Sequence, residues 1–164
     1  MKKVVIVLLM VLLLSGCGQD HYEERQAPCG TQTASPAPGV INISVTDELS
    51  APVMSTREGD RIYIADDYEV SLQTLPGGAV DETLKTCTGF DRDKLTVLET
   101  EKDGMKRYDC VWSSAGEGTQ WVGRTTVLDD GAYHYVLTVT GDDGSKVASA
   151  WRQLSDSFSV SIVQ

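Results

Sequence analysis

The side chains able to do chemistry are few and scattered along the chain. Cysteine stands at 17, 29, 87 and 110, and histidine at 21 and 134. Cys17 has the most telling surroundings. It follows Leu14-Ser15-Gly16, the end of an apolar run that begins at Val4 behind Lys2 and Lys3. A basic start, a short apolar stretch and small residues are the parts of a secretory leader with its cleavage site. The run is too short to span a bilayer core, which takes about 20 residues. An ordinary leader has no need of a thiol just after its small residues. Among the other cysteines, Cys87 and Cys110 fall in the folded region and Cys29 in a polar stretch before it. Outside the cytosol thiols tend to pair, so a Cys87–Cys110 disulfide is expected, worth about 3 kcal/mol in the chain-entropy view. Cys29 is then left over, to stay free, to cross-link two molecules or to pair with one of these two.

Catalytic signatures are missing. There is no Gly-x-Ser-x-Gly elbow, no His-Glu-x-x-His, no phosphate-binding loop and no Cys-x-x-Cys. A Ser or Cys nucleophile usually works with a His base. His134 is the one histidine of the folded region, and a lone strand histidine is more often a satisfied or exposed side chain than a base. Acid pairs recur at Asp66-Asp67, Asp129-Asp130 and Asp142-Asp143. Such pairs can bind calcium or do acid–base work, but each stands where a turn is expected, and Asp favours turns for backbone reasons. No cofactor or metal is implied. Trp112 and Trp121 fall on adjacent expected strands. Pointing outward they make a platform for a sugar or a partner's side chain; pointing inward they are core.

Leu14-Ser15-Gly16-Cys17 resembles the lipobox of bacterial lipoproteins, over residues 1–17 alone. The resemblance implies that the Cys17 thiol is acylated, that the chain is cut before it, and that the mature protein hangs from a membrane by lipid. Residues 1–16 are then a lipoprotein signal peptide. Residues 17–39 are the lipidated cysteine and a linker whose Pro, Gly, Ser, Thr and charge leave it too little apolar surface to fold. His21, Glu23 and Glu24 in that tail read as solvated rather than metal-binding. Gly18 is not the Asp that retains many lipoproteins in an inner membrane, so an outer membrane stays open if the envelope has two. The net charge of −10 disfavours nucleic acid and offers no polybasic patch for anionic lipid.

The elements that must position these residues begin at Val40. Alternating, β-branched runs predict strands over Val40–Val45, Arg61–Ala65 and Tyr68–Gln73. The polar stretch from Thr46 to Gly59 reads as irregular. Val80, Leu84 and Cys87 make one helical stripe over Ala79–Cys87, with Gly89 as its stop. Leu95–Thr100, Met105–Trp112, Thr119–Leu128 and Ala132–Thr140 follow as four strands. Their short connections predict an antiparallel meander. Asp142-Asp143-Gly144-Ser145 supplies caps for a last helix, with Val147, Trp151, Leu154 and Phe158 as its apolar stripe. A closing strand runs over Phe158–Ile162. The fold class is therefore α+β: a single domain over residues 40–164, a central antiparallel sheet with two amphipathic helices.

Tyr135-Val136-Leu137-Thr138, the Asp/Gly-rich turn after it, the helix bearing Trp151 and Asp156-Ser157-Phe158 are similar to the Mog1/PsbP-like fold, over about residues 60–162. That resemblance implies an α/β/α sandwich and a habit of binding other proteins. It brings no catalytic residues. The expected function is that of a membrane-anchored, extracytoplasmic envelope lipoprotein whose non-enzymatic domain binds or supports another envelope protein. The alternative is a small-ligand or glycan-binding lipoprotein using exposed aromatics at Trp112 and Trp121. A hydrolase built on His134 and an acid pair ranks last.

Overall fold

A computed structural model describes residues 36–49, 51–57, 59–116 and 119–162. The expectations for the leader, Cys17, Cys29 and the linker as far as residue 35 lie outside them. Nine strands and two helices are described: β1 (Val40–Asn42), β2 (Met54–Ser55), β3 (Arg61–Ile64), β4 (Glu69–Pro76), α1 (Val80–Thr88), β5 (Thr96–Lys102), β6 (Met105–Gly116), β7 (Thr119–Asp129), β8 (Tyr133–Gly141), α2 (Gly144–Ser157) and β9 (Ser159–Ser161).

Seven of these strands form one antiparallel sheet in the order β2-β3-β4-β8-β7-β6-β5. The expected four-strand meander is β5 to β8. β4 closes onto β8, which makes β8 the middle strand of the sheet, between β4 and β7. Central strands covered on both sides read as continuous apolar runs, and every residue from His134 to Val139 is buried. β1 pairs with β9 as a separate two-stranded piece, with Ile41 opposite Val160. The strand predicted over Val40–Val45 is thus cut to its first three residues. Strand alternation divides the core in two. Tyr135, Leu137 and Val139 face one way, into a cluster with Val70, Leu72, Leu128, Val147, Leu154 and Phe158. Val136 faces the other, with Val127, Cys110, Tyr108 and Leu84. Since α2 supplies the first cluster and α1 the second, the two helices lie on opposite faces, and the layers are α/β/α.

Each helix ends where its sequence says it should. The Asp143 carboxylate accepts from the Ser145 N–H at 2.8 Å and the Lys146 N–H at 3.3 Å, satisfying donors the first turn leaves open. Gly89 takes the left-handed conformation (φ 79°) and donates its N–H to the Lys85 carbonyl, closing α1. On α2, Val147, Leu154 and Phe158 are buried as the stripe predicts. Trp151 is half-buried at the edge of that stripe, and Ala150 lies deeper.

Two stretches carry more structure than their composition suggests. Within Thr46–Gly59 a 3-10 turn, Asp47–Leu49, delivers Leu49 into the α2-side core at 1% exposure. β2 then pairs with β3. Ahead of β1, Pro36 accepts from the Tyr133 hydroxyl at 2.8 Å, and the Gly39 N–H donates to the Tyr135 hydroxyl at 2.8 Å. The chain is therefore held against β8 before Val40 is reached.

Cys87 and Cys110 are free thiols, against the expected disulfide. Both sit in the apolar cluster under α1. Burial pushes each thiol up to about 11. The thiolate that would begin disulfide exchange is thereby suppressed.

Candidate functional site

The residues singled out by type do not converge on one centre. His134 is 1% exposed, at the β8 end nearest the β7–β8 turn. Its Nδ1 meets the Thr83 hydroxyl of α1 at 2.6 Å, and its Nε2 lies 3.6 Å from an Asp129 carboxylate oxygen. The ring ties α1 to the sheet. Thr83 escaped the sequence reading because a threonine on a helix carries no sign of what it will face.

Of the acid pairs, Asp129, Asp130 and Asp143 bond nearby backbone N–H groups. Asp129 accepts from the Gly131 N–H at 2.7 Å, and Asp130 accepts from the N–H groups of Ala132 and Tyr133 and from the Tyr135 hydroxyl. Burial alone would raise the Asp130 carboxyl, but these hydrogen bonds outweigh it and hold the group below its ordinary value. Asp143 caps α2, and Asp67 pairs with Lys146 at 3.2 Å. Among the described residues no group of three or more His, Cys, Asp or Glu side chains is arranged to hold a metal ion.

Trp112 and Trp121 lie on the α1 face of β6 and β7, because Trp112 stands opposite Gly123 and Trp121 opposite Ser114. They are not a matched pair. Trp112 lies across Gly123, where a Cβ would clash with its ring. Its indole N–H donates to the Thr125 hydroxyl at 3.1 Å, and Phe90 packs at a ring separation of 6.2 Å. Trp121 is 48% exposed, on a part of the β6–β7 hairpin that runs past the last residue paired to β8. Beside Trp112 a recess of about 440 Å³ is lined by Phe90, Leu95, Ser113 and Gln120, among others.

A second feature was not foreseen. α2 packs over β7 and β8, and the upper part of β5 and β6 on that same face stays bare. There Thr96, Val111 and Arg124 form one cross-strand row, and Leu98, Asp109 and Thr126 the next. Leu98 is 62% and Val111 48% exposed. β5 ends the sheet, so its outer edge has no strand beside it. The opposite edge is β2, two residues long. β5 has seven residues and no proline. A long, exposed edge is a ready template for another strand, and most proteins blunt it. Period-2 reading of β5 showed a strand but could not show which strand of the sheet would be last.

What the described residues define is an α/β/α sandwich whose longer sheet edge is β5. A comparison with solved structures supports the fold. One similar solved structure is LpqN, involved in cell envelope biogenesis of Mycobacterium tuberculosis. It superposes with a TM-score of 0.53 at 13% identity over 79% of this chain and 87% of that one. A protein of Bacteroides thetaiotaomicron gives 0.49 at 11% identity over 73% of this chain, which spans only 44% of that structure. No protein-family model and no curated protein matches the sequence. Among the described residues, no helix is long and apolar enough to cross a membrane.

Proposed function

We propose that the chain is a cell-envelope lipoprotein, acylated at Cys17 and held at a membrane by that lipid, whose non-enzymatic domain binds another envelope protein. The observation that carries the binding role is the bare edge of β5 with Leu98 and Val111 beside it. Added strands gain main-chain hydrogen bonds along such an edge and side-chain specificity from the face next to it. A second copy of this chain is a poor occupant. Antiparallel pairing of β5 with itself about its middle residue sets Glu99 against Glu99, and like charges directly opposite are destabilising. The similarity to a protein of envelope biogenesis supports the location, and the α/β/α layering is what the Mog1/PsbP-like resemblance implies. The burial of His134 weighs against the hydrolase reading.

The test places a photo-crosslinking side chain at Leu98 in cells of the host. A discrete adduct, absent when the probe is at Glu82 on the outer side of α1 and lost with Val111→Lys, is the expected result. Adduct levels no higher at Leu98 than at Glu82 would count against the proposal.

The second reading, a glycan or small-ligand binder, is favoured by the recess beside Trp112 with Ser113 and Gln120 in its wall and Trp121 exposed nearby. Aromatic faces with neighbouring hydrogen-bonding groups suit sugars. Tryptophan emission that stays unchanged across a glycan panel would remove it.

A further inference from the structure

The bare face next to α2 contains a pocket that shares Leu98 and Val111 with the proposed partner surface, has its own chemistry and is separate from Trp112 and Trp121. It holds about 260 Å³ and is lined by Thr96, Leu98, Asp109, Val111, Arg124 and Trp151, among others. That is slightly smaller than the 300–1,000 Å³ typical of drug-sized ligands, so its occupant is small. Leu98 and Val111 make the lining largely apolar.

The polar groups are held in series. The Trp151 indole N–H donates to the Thr126 hydroxyl at 3.0 Å, and Thr126 donates to Asp109 at 2.7 Å. Arg107 Nε donates to the other Asp109 oxygen at 2.8 Å, with both side chains largely buried. Trp151 is thereby fixed as a wall, and the Asp109 charge is neutralised by Arg107. Arg124 has no such match. Its guanidinium lies over the Trp151 ring, 5.3 Å from the centroid. Its Nε is buried without an acceptor, and it joins no ion pair among the described residues. Of the three charges here, one positive charge remains unmatched, at the rim of an apolar pocket.

A guanidinium binds a carboxylate through a planar, two-point fork. We infer that this pocket binds a small apolar carboxylic acid, its chain against Leu98, Val111 and Trp151 and its carboxylate on Arg124. An alcohol of equal length keeps the apolar contacts and loses the ion pair. An amine brings a like charge to Arg124.

The experiment titrates the full chain, purified in non-ionic detergent, with hexanoate, hexan-1-ol and hexylamine. The indole N–H resonance of Trp151, assigned by its loss in Trp151→Phe, is the readout. Hexanoate is expected to shift that resonance saturably and to bind at least tenfold more tightly than the alcohol or the amine. Arg124→Gln should weaken hexanoate at least tenfold and leave the alcohol unchanged. If Arg124→Gln does not fold, Leu98→Glu, at an exposed position, should weaken hexanoate to the same degree. An unmoved Trp151 resonance, equal affinity for hexan-1-ol, or unchanged hexanoate binding in the folded variant would each overturn the assignment.

Discussion

Single residues in this protein do structural work that their types alone conceal. Asp143 accepts from two backbone donors at the start of α2. Asp143→Ala should remove the cap and lower the melting temperature, read by thermal denaturation. Gly123 leaves the space that the Trp112 ring occupies. Gly123→Ala should therefore destabilise by about 1–3 kcal/mol through overpacking, whereas Gly131→Ala, which meets nothing nearby, acts only through its positive φ. The thiols of Cys87 and Cys110, raised to about 11 by burial, should react slowly with a disulfide reagent at pH 8 and rapidly after denaturation. Because the folded values lie above the unfolded ones, their stabilising effect is complete below about pH 8.5 and is lost as pH rises toward 11. A native chain in which both thiols react as fast as a free cysteine would contradict their burial.

At the scale of elements, the β7–β8 turn and the entry of the chain depend on each other. Asp130 holds the turn and accepts from Tyr135, whose hydroxyl accepts in turn from Gly39. With its folded pKa below the ordinary value, Asp130 contributes stability that is present above about pH 3.9 and lost as pH falls through the folded value. Asp130→Asn should lower stability at neutral pH and flatten the acid limb of its pH profile, measured by denaturant unfolding at a series of pH values. An acid limb as steep as that of the parent would show that other carboxylates set it. The helix opposite is steadied by Trp151, whose N–H bonds Thr126 and whose ring lies under Arg124. Trp151→Ala should cost about 3 kcal/mol, the low end for a large aromatic, because the ring is only half-buried.

For the whole molecule, the two faces of the sheet are covered unequally, and this asymmetry carries the proposed function. α1 closes its side through Leu84 and the Thr83–His134 contact. α2 covers β7 and β8 and leaves β5 and β6 bare above Trp151. The attachment at Cys17 is proposed on the lipobox resemblance and is read by intact mass. Protein from the host's membrane fraction should weigh as residues 17–164 plus acyl chains, and Cys17→Ser should move it to the soluble fraction. Unlipidated chain recovered in the soluble fraction of the parent strain would remove the membrane anchor and leave the domain's surfaces to be interpreted alone.

The amino-acid sequence by itself determined the local elements, because periodicity and capping are written within a few residues. The stripe Val147, Leu154 and Phe158, the Gly89 stop and the alternation of Tyr68 to Gln73 each specify an element without reference to anything distant. It also determined that the acid pairs belong to turns, since an Asp carboxylate reaches backbone donors two or three residues away. It could not show that Leu49 is core, for a single leucine in a polar stretch has no period, or that Cys87 and Cys110 would stay apart as thiols. Only the tertiary structure decided the strand order, and with it that β5 is an edge. That order also placed Asp109, Arg124 and Trp151 around one pocket, with Arg107 and Thr126 bonded to Asp109. These residues come from three elements, and their meeting depends on cross-strand register and on where a helix lies over a sheet, which the local sequence does not encode.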